Sequence, residues 1–350
     1  MKKLKMINIA ALYIGVIMGA GFASGREAWQ FFGVFGSKGY IGTFFVTVGF
    51  IAVACMLSYI ALSKNTSDLG RLISPVENSF IVNTIGIITA AIYYSMIIAM
   101  TAAGGSLLNQ EFGINKAVGG AIIAILVVLT VIGDFERISA VFKLLTPVLF
   151  TLAVLTIIFV IRADFTQSGA VAGYKPGSMT PNWAISAIVF LAYNTIGMIT
   201  MAGSSAENAV DRKNAFGGAI LGATCLGALT IILLRALLSD MAFASVMDLP
   251  MLAFSGRISK VLNVVYAVVL YGAVYSTAAS TYYGFSTKLP DNNAKKPVLV
   301  FGAIAGFGLG LTGFKTLVEY LYPLQGYIGI LFLILITINF INEVRKNFVK

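Results

Sequence analysis

Ten stretches of mainly apolar residues follow one another along the chain, at 6–35, 39–63, 80–108, 117–133, 143–161, 182–205, 214–239, 258–286, 297–313 and 317–341. A bilayer core takes roughly 20 such residues as one helix, so each stretch is read as a membrane-spanning helix. The stretches far exceed the roughly ten-residue strands of a membrane β-barrel and show no sustained period-two alternation. Those at 117–133 and 297–313 are short and lie near the lower limit for a span. Composition agrees: 58% of residues are apolar and 11% charged, against about 25% charged in an ordinary globular protein. So few charges cannot coat a water-soluble particle of 350 residues. A soluble enzyme, a nucleic-acid binder and a disordered chain are thereby set aside.

The basic N-terminus, Met1-Lys2-Lys3-Leu4-Lys5, and the small residues Ala23-Ser24-Gly25 imitate a secretory signal. The nine further stretches favour a retained first helix. With alternating crossings, 15 Lys and Arg fall on the side of the N-terminus and 7 on the other. That bias predicts an integral protein of the cytoplasmic membrane with both termini in the cytoplasm. The net charge of +10 is therefore a topology signal and not a nucleic-acid patch. The longest connections, 64–79, 162–181 and 240–257, are too short for separate domains, so 1–350 reads as a single membrane domain. No His is present, which removes His metal ligands and His bases. Cys55 and Cys225 lie in apolar runs and read as small core hydrophobes. Neither a metal nor a cofactor is expected.

The spans repeat. Adding 176 to the starts of the first five gives 182, 215, 256, 293 and 319, and the last five start at 182, 214, 258, 297 and 317. Five is odd, so the second unit (182–341) enters the bilayer opposite to the first (6–161). Such 5+5 inverted repeats place a binding site at the midplane, where the first helix of each unit is broken. In span one the break falls at Gly19-Ala20-Gly21-Phe22-Ala23-Ser24-Gly25, because three glycines in seven residues weaken a helix by about 1 kcal/mol each and admit a ligand to the backbone. Close helix packing is the competing use of these glycines. Arg26 and Glu27 follow at once, near mid-membrane, where a charge is costly without a task or partner. In span six the matching break is expected at Ala192-Tyr193-Asn194-Thr195-Ile196-Gly197, whose Tyr193, Asn194 and Thr195 supply donors and acceptors.

These residues resemble a known family. Gly15-Val16-Ile17-Met18-Gly19-Ala20-Gly21 is similar to the interrupted helix of transporters with the LeuT fold. Phe190-Leu191-Ala192-Tyr193, Gly197, Glu207 and Asp211-Arg212-Lys213 resemble the sixth-helix pattern of the amino acid–polyamine–organocation superfamily. The string Gly19 to Phe32, with Gly25-Arg26-Glu27 and Gln30-Phe31-Phe32, looks most like the YkvI-type bacterial membrane proteins. The chain departs from the superfamily in carrying Asn194-Thr195 where an acidic residue is usual. The resemblance implies an all-α fold of ten transmembrane helices with broken helices 1 and 6. It also implies an outer gate in which Arg26 meets Glu319, with Glu27 as a competing partner. Ser276-Thr277, with the carbonyls of Gly15 and Met18, resemble the sodium site of sodium-coupled relatives. Lys143 resembles the lysine that fills that position in sodium-independent members, and the resemblance favours the sodium-independent reading.

A broken helix offers free N–H groups at the new start and free carbonyls at the old end, which together suit a small zwitterion. Aromatic closure of such a site is expected from Phe22, from Tyr93 and Tyr94, and from Tyr271 and Tyr275, which share a helix face. The function read from the sequence is secondary transport of a small solute, an amino acid or related zwitterion. The coupling ion would be H⁺ or Na⁺, and the partners are a small-molecule substrate and membrane lipid. The alternative is a receptor or permeation subunit that binds ligand without pumping. No GxxxxGK[ST] loop is present for an ATP-driven pump and no recognised catalytic constellation for an enzyme.

Overall fold

The computed structural model describes residues 3–133, 135–163, 165–169 and 175–348; the side chains of 135–144, 146 and 348 lie outside the description. The helices are α1 (Met6–Ile17), α2 (Ala20–Ala23), α3 (Arg26–Phe31), α4 (Gly39–Lys64), α5 (Leu69–Ile73), α6 (Ser79–Phe112), α7 (Lys116–Ile132), α8 (Phe135–Ala163), α9 (Trp183–Asn208), α10 (Arg212–Leu237), α11 (Met241–Val246), α12 (Pro250–Ile258), α13 (Lys260–Ser286), α14 (Lys295–Gly310) and α15 (Phe314–Phe348). Among the described residues there is no strand, only an isolated bridge from Leu4 to Ala209.

Helix starts are set by side-chain caps. Asn78, Asn115, Asn182 and Asp211 each accept from a backbone N–H of the following first turn, which satisfies donors that have no partner inside the helix. The segment before α7 turns at Gly113, in the left-handed region (φ 68°). A helix stands at each of the ten apolar stretches, with ends shifted by a few residues. Among the described residues, six helical segments are long and apolar enough to cross a membrane: 33–64, 79–112, 183–208, 212–246, 260–286 and 314–347. α7, at 17 residues, is among the shorter apolar helices, and α14 has 16 residues, as their short stretches imply.

Two groups of helices pack together. In one, α1 lies on α10 and α9, and α4 lies on α10 and α9. In the other, α6 packs on α13, α7 and α14, and α7 on α14. Close approach of α1 to α10 depends on Gly218 and Gly222. A Cβ on Gly218 would stand 2.5 Å from Ile9 Cβ, and one on Gly222 would stand 2.8 Å from Tyr13 Cβ. α15 meets α9 in the same way: a Cβ on Gly326 would stand 2.5 Å from the Val189 carbonyl oxygen. Small residues at such crossings let dispersion contacts replace the missing hydrophobic drive between helices in lipid.

Both described chain ends lie on one face. Leu4 exchanges backbone hydrogen bonds with the α9–α10 turn, donating to Asn208 and accepting from Val210. At the other end, Glu343 accepts from Ser63 at 2.9 Å, and Asn347 donates to Tyr59 and Ser63, each at 3.1 Å. An open cavity of about 480 Å³ lies between these regions, lined by Tyr59, Leu62, Ser63, Arg212, Phe216 and Asn347.

One expectation about the helices is corrected. Span one is broken where its glycines cluster, but α9 runs without a break from Trp183 to Asn208. Asn194 donates to the Phe190 carbonyl at 2.9 Å and Thr195 to the Leu191 carbonyl at 2.8 Å. These polar side chains bond back to their own helix one turn earlier, and the single Gly197 does not interrupt it.

Candidate functional site

The break in the first membrane segment has two corners. At the first, Met18 (φ −76°, ψ 53°) and Gly19 (φ −72°, ψ −177°) leave the helix. The Gly19 N–H turns to the Ile17 carbonyl at 2.8 Å. Among the described residues, no backbone N–H then donates to the carbonyls of Gly15 and Met18. At the second corner Gly25 takes the left-handed conformation (φ 80°), and a Cβ there would also stand 2.7 Å from Met251 Cγ. Between the corners, Ala20, Gly21, Phe22, Ala23 and Ser24 are all buried. Their polar groups are tied down from outside the helix: Tyr266 donates to the Ala23 carbonyl at 2.7 Å, and Met251 N–H to the Ser24 carbonyl at 2.9 Å. The Ser24 hydroxyl donates to the Gly21 carbonyl at 2.7 Å.

Arg26 and Glu27 are both buried and diverge. Arg26 donates through one terminal nitrogen to the carbonyls of Ser245 and Met247, each at 3.3 Å, and its Nε has no partner among the described residues. Lys315 donates to the same Ser245 carbonyl at 3.1 Å. Asp248 is held beside it by Ser106 at 2.8 Å and by an ion pair with Lys116. Burial by itself would raise the Asp248 carboxyl, but hydrogen bonds from Lys116 and Ser106 outweigh it and leave it below the usual aspartate range. The expected Arg26–Glu319 ion pair is not formed. Glu319 lies instead beside Gln30 and Gly177, its Cγ 3.3 Å from where a Gly177 Cβ would be. The physical reason is that the guanidinium is turned to the carbonyls of Ser245 and Met247, with Asp248 and Glu319 acting on it through space rather than in direct contact.

Glu27 turns the other way, into the bundle. Its carboxyl group sits over Gly21, and a Cβ on that glycine would overlap it. It faces the Tyr193 hydroxyl of α9, and Tyr193 stacks on Tyr322 of α15 with ring centroids 5.0 Å apart and planes at 23°. Tyr322 and Gln325, three residues apart, share a face of α15. The Tyr322 hydroxyl lies against the Tyr193 hydroxyl, and the Gln325 Oε1 is buried without a hydrogen-bond partner among the described residues. Gln325 Nε2 donates to Ser95 of α6 at 2.6 Å.

Part-exposed residues run alongside the break. Val16 is 37% exposed, and its Cγ1 would stand 2.7 Å from a Gly197 Cβ, so it packs directly on α9 where that helix has only a glycine. Gly15, Gly19, Tyr193, Gly197, Thr200, Ser276 and Thr277 are likewise part-exposed, whereas 20–33 is buried throughout. Thr277 Oγ1 lies 3.6 Å from where a Gly19 Cβ would be, so that hydroxyl is alongside the first corner. Tyr93 reaches α9 through a 3.1 Å bond to Thr200.

Other expected residues are engaged elsewhere. Tyr94 donates to the Gly302 carbonyl of α14 at 3.0 Å, and Tyr271 to the Gly119 carbonyl of α7 at 3.1 Å. Tyr275 bonds to Thr130 of α7. Their hydroxyls join the second group of helices together. Asn194 and Thr195 serve their own helix, as described. Lys143 lies in α8 but outside the described side chains. Cys55 and Cys225 are free thiols. Ser95, Tyr322 and Gln325 were not among the expected site residues. A glutamine and a serine within apolar spans are the signal that marks them.

The chain is similar along most of its length to known membrane proteins. "Uncharacterized membrane protein YkvI" of Bacillus subtilis (strain 168) is 23% identical over 334 residues, 93% of each chain. "Uncharacterized protein YyaD" of the same organism is 21% identical over 325 residues, covering 92% of this chain and 93% of that protein. No family model matches. Among solved structures, the inward-facing conformation of Mhp1 superposes with a TM-score of 0.62 at 13% identity, covering 94% of this chain and 74% of that one. A mutant of the Eremococcus coleocola manganese transporter gives 0.50 at 15% identity, covering 97% and 85%. The chain thus resembles YkvI over nearly its whole length and shares the LeuT-like fold of Mhp1.

Proposed function

We propose that the protein is a secondary transporter that carries a small solute past the broken first helix. The observation that carries this reading is the interruption of the first membrane segment at Met18–Gly19, which leaves the carbonyls of Gly15 and Met18 without a backbone donor among the described residues. Unpaired polar groups within an apolar span are costly, so such a break is suited to being completed by a ligand. A small zwitterion such as an amino acid would turn its ammonium group to these carbonyls. Mhp1 is described as a nucleobase-cation-symport-1 family transporter, and the shared fold supports transport as the general task.

The same fold supports a single membrane domain with ten crossings in two inverted units. Four pairs of helices that correspond in the two units touch each other: α1 with α9, α4 with α10, α6 with α13, and α7 with α14. A pseudo-twofold axis in the membrane plane would bring counterparts together in this way. Both ends on one face agree with an even number of crossings, and the excess of Lys and Arg on that face favours the cytoplasmic side for it. On that reading the part-exposed residues beside the break lie toward the inside, and the buried 20–33 segment forms the closed outer side. Gly15 and Met18 carbonyls with the Thr277 hydroxyl offer oxygen ligands to a hard cation, so sodium remains the competing coupling ion to H⁺.

The test is uptake by purified protein in liposomes, with a mixture of radiolabelled amino acids as the probe. Accumulation that depends on an imposed ion gradient supports transport. Saturable binding without flux would replace the reading by the receptor one.

A further inference from the structure

Resting on the transport reading, we infer that Glu27 is the group that carries the coupling proton. Glu27 is 4% exposed. Among the described residues, no Lys or Arg nitrogen lies within 4.0 Å of its carboxyl; the ion pairs are Lys116–Asp248, Arg257–Asp240, Lys295–Asp291 and Lys346–Glu343. Its chain neighbour Arg26 is committed to the Ser245 and Met247 carbonyls. A buried carboxylate without a cation is far costlier than a buried carboxylic acid. Glu27 is therefore the neutral acid in this conformation.

The surroundings give that proton a way out. The titratable groups facing Glu27 are the Tyr193 hydroxyl from α9 and the Tyr322 hydroxyl from α15. From α13, Tyr266 is turned to the Ala23 carbonyl. α8 also packs on α2, and it carries Lys143. Tyr193 is part-exposed, while Tyr322 is buried. Release follows when the Glu27 O–H proton passes to the Tyr193 oxygen as Tyr193 gives its own proton to a water that enters beside the break. The acid becomes a carboxylate, water gains one proton, and Tyr193 is unchanged. Recharging from the other side of the membrane requires 20–33 to open there, so each cycle carries a proton with the solute. Gly21 is part of the device, because only glycine leaves room for the carboxyl group at this spot.

Two measurements on the full-length protein test this. The first is infrared difference spectroscopy between wild type and Glu27→Gln in detergent at neutral pH. A protonated-carboxyl C=O band present in wild type and lost in the variant is expected. A carboxylate band in its place overturns the proposal, whether or not any solute is moved. The second is uptake of the labelled amino-acid mixture under imposed pH or Na⁺ gradients. A pH gradient should drive uptake in wild type and have no effect in Glu27→Gln, while Tyr193→Phe should keep the infrared band and slow pH-driven uptake. If uptake follows Na⁺ alone, or if Lys143→Ala removes pH-driven uptake while Glu27→Gln keeps it, Glu27 is not the carrier. Absence of flux in wild type counts against transport itself and leaves the infrared result to decide the protonation of Glu27.

Discussion

The carboxyl group of Glu27 occupies the volume that a side chain on Gly21 would need, with Glu27 Cδ 2.8 Å from the position of that missing Cβ. The two residues lie six positions apart on opposite sides of a left-handed turn at Gly25. The glycine is thus required by a neighbour inside the protein, before any ligand is considered.

The three glycines of the break should respond differently to a single methyl group. Gly19→Ala meets Thr277 Oγ1 at an ordinary 3.6 Å with an allowed φ of −72° and should fold with little loss. Gly21→Ala displaces Glu27 and should cost about 1–3 kcal/mol by overpacking. Gly25→Ala adds a left-handed backbone strain of roughly 1–2 kcal/mol to its clash with Met251. Thermal unfolding of the purified proteins should rank them in that order.

Tyr266→Phe removes the hydrogen bond that satisfies the Ala23 carbonyl. A buried acceptor left alone costs about 1–3 kcal/mol, so the variant should unfold earlier than wild type while keeping its helix content by circular dichroism.

Arg26 and Glu319 form no ion pair in this conformation, but their charges act on each other and both act on Lys315. Arg26→Gln and Glu319→Gln should therefore couple in a double-mutant cycle by about 0.5 kcal/mol or more. Additive effects would remove the electrostatic link between them.

Asp248 is the clearest source of pH dependence outside the membrane. Its carboxyl is held below the ordinary aspartate range in the folded protein. The stabilisation is therefore present above the unfolded-state value and is lost as pH falls through the depressed folded value. Wild type should lose more thermal stability on acidification than Asp248→Asn, measured side by side.

Reporters fused before Met1 and after Lys350 should be active on the same side, and only as cytoplasmic reporters. An extracellular signal from either one contradicts the assignment of the faces.

The helices were legible because hydrophobic length is a strong one-dimensional signal, and the first break because glycine weakens a helix wherever it sits. The continuity of α9 was not. Tyr193-Asn194-Thr195 reads as polar interruption in one dimension, yet amide and hydroxyl groups can return to the carbonyls one turn back, which only three-dimensional geometry reveals. The partner of Arg26 was equally hidden, because backbone carbonyls at Ser245 and Met247 have no signature in the side-chain alphabet. Tyr271 and Tyr275 were correctly placed on one face, but α7 and not the break lies opposite that face.

The intact α9 beside the interrupted α1 makes the two sides of the break mechanically unequal. Bending α9 would open backbone hydrogen bonds along a full turn. Swinging the 20–24 piece needs only torsions at Gly19 and Gly25, and among the described residues no backbone helical bond crosses either glycine. Compliance is concentrated on one side, and the other acts as a stiff rail against which it moves. Because Met251 N–H and the Tyr266 hydroxyl grip the carbonyls of Ser24 and Ala23, any such swing drags α12 and strains α13. The connection between α10 and α13 is then a crank attached to the moving piece rather than a passive cover.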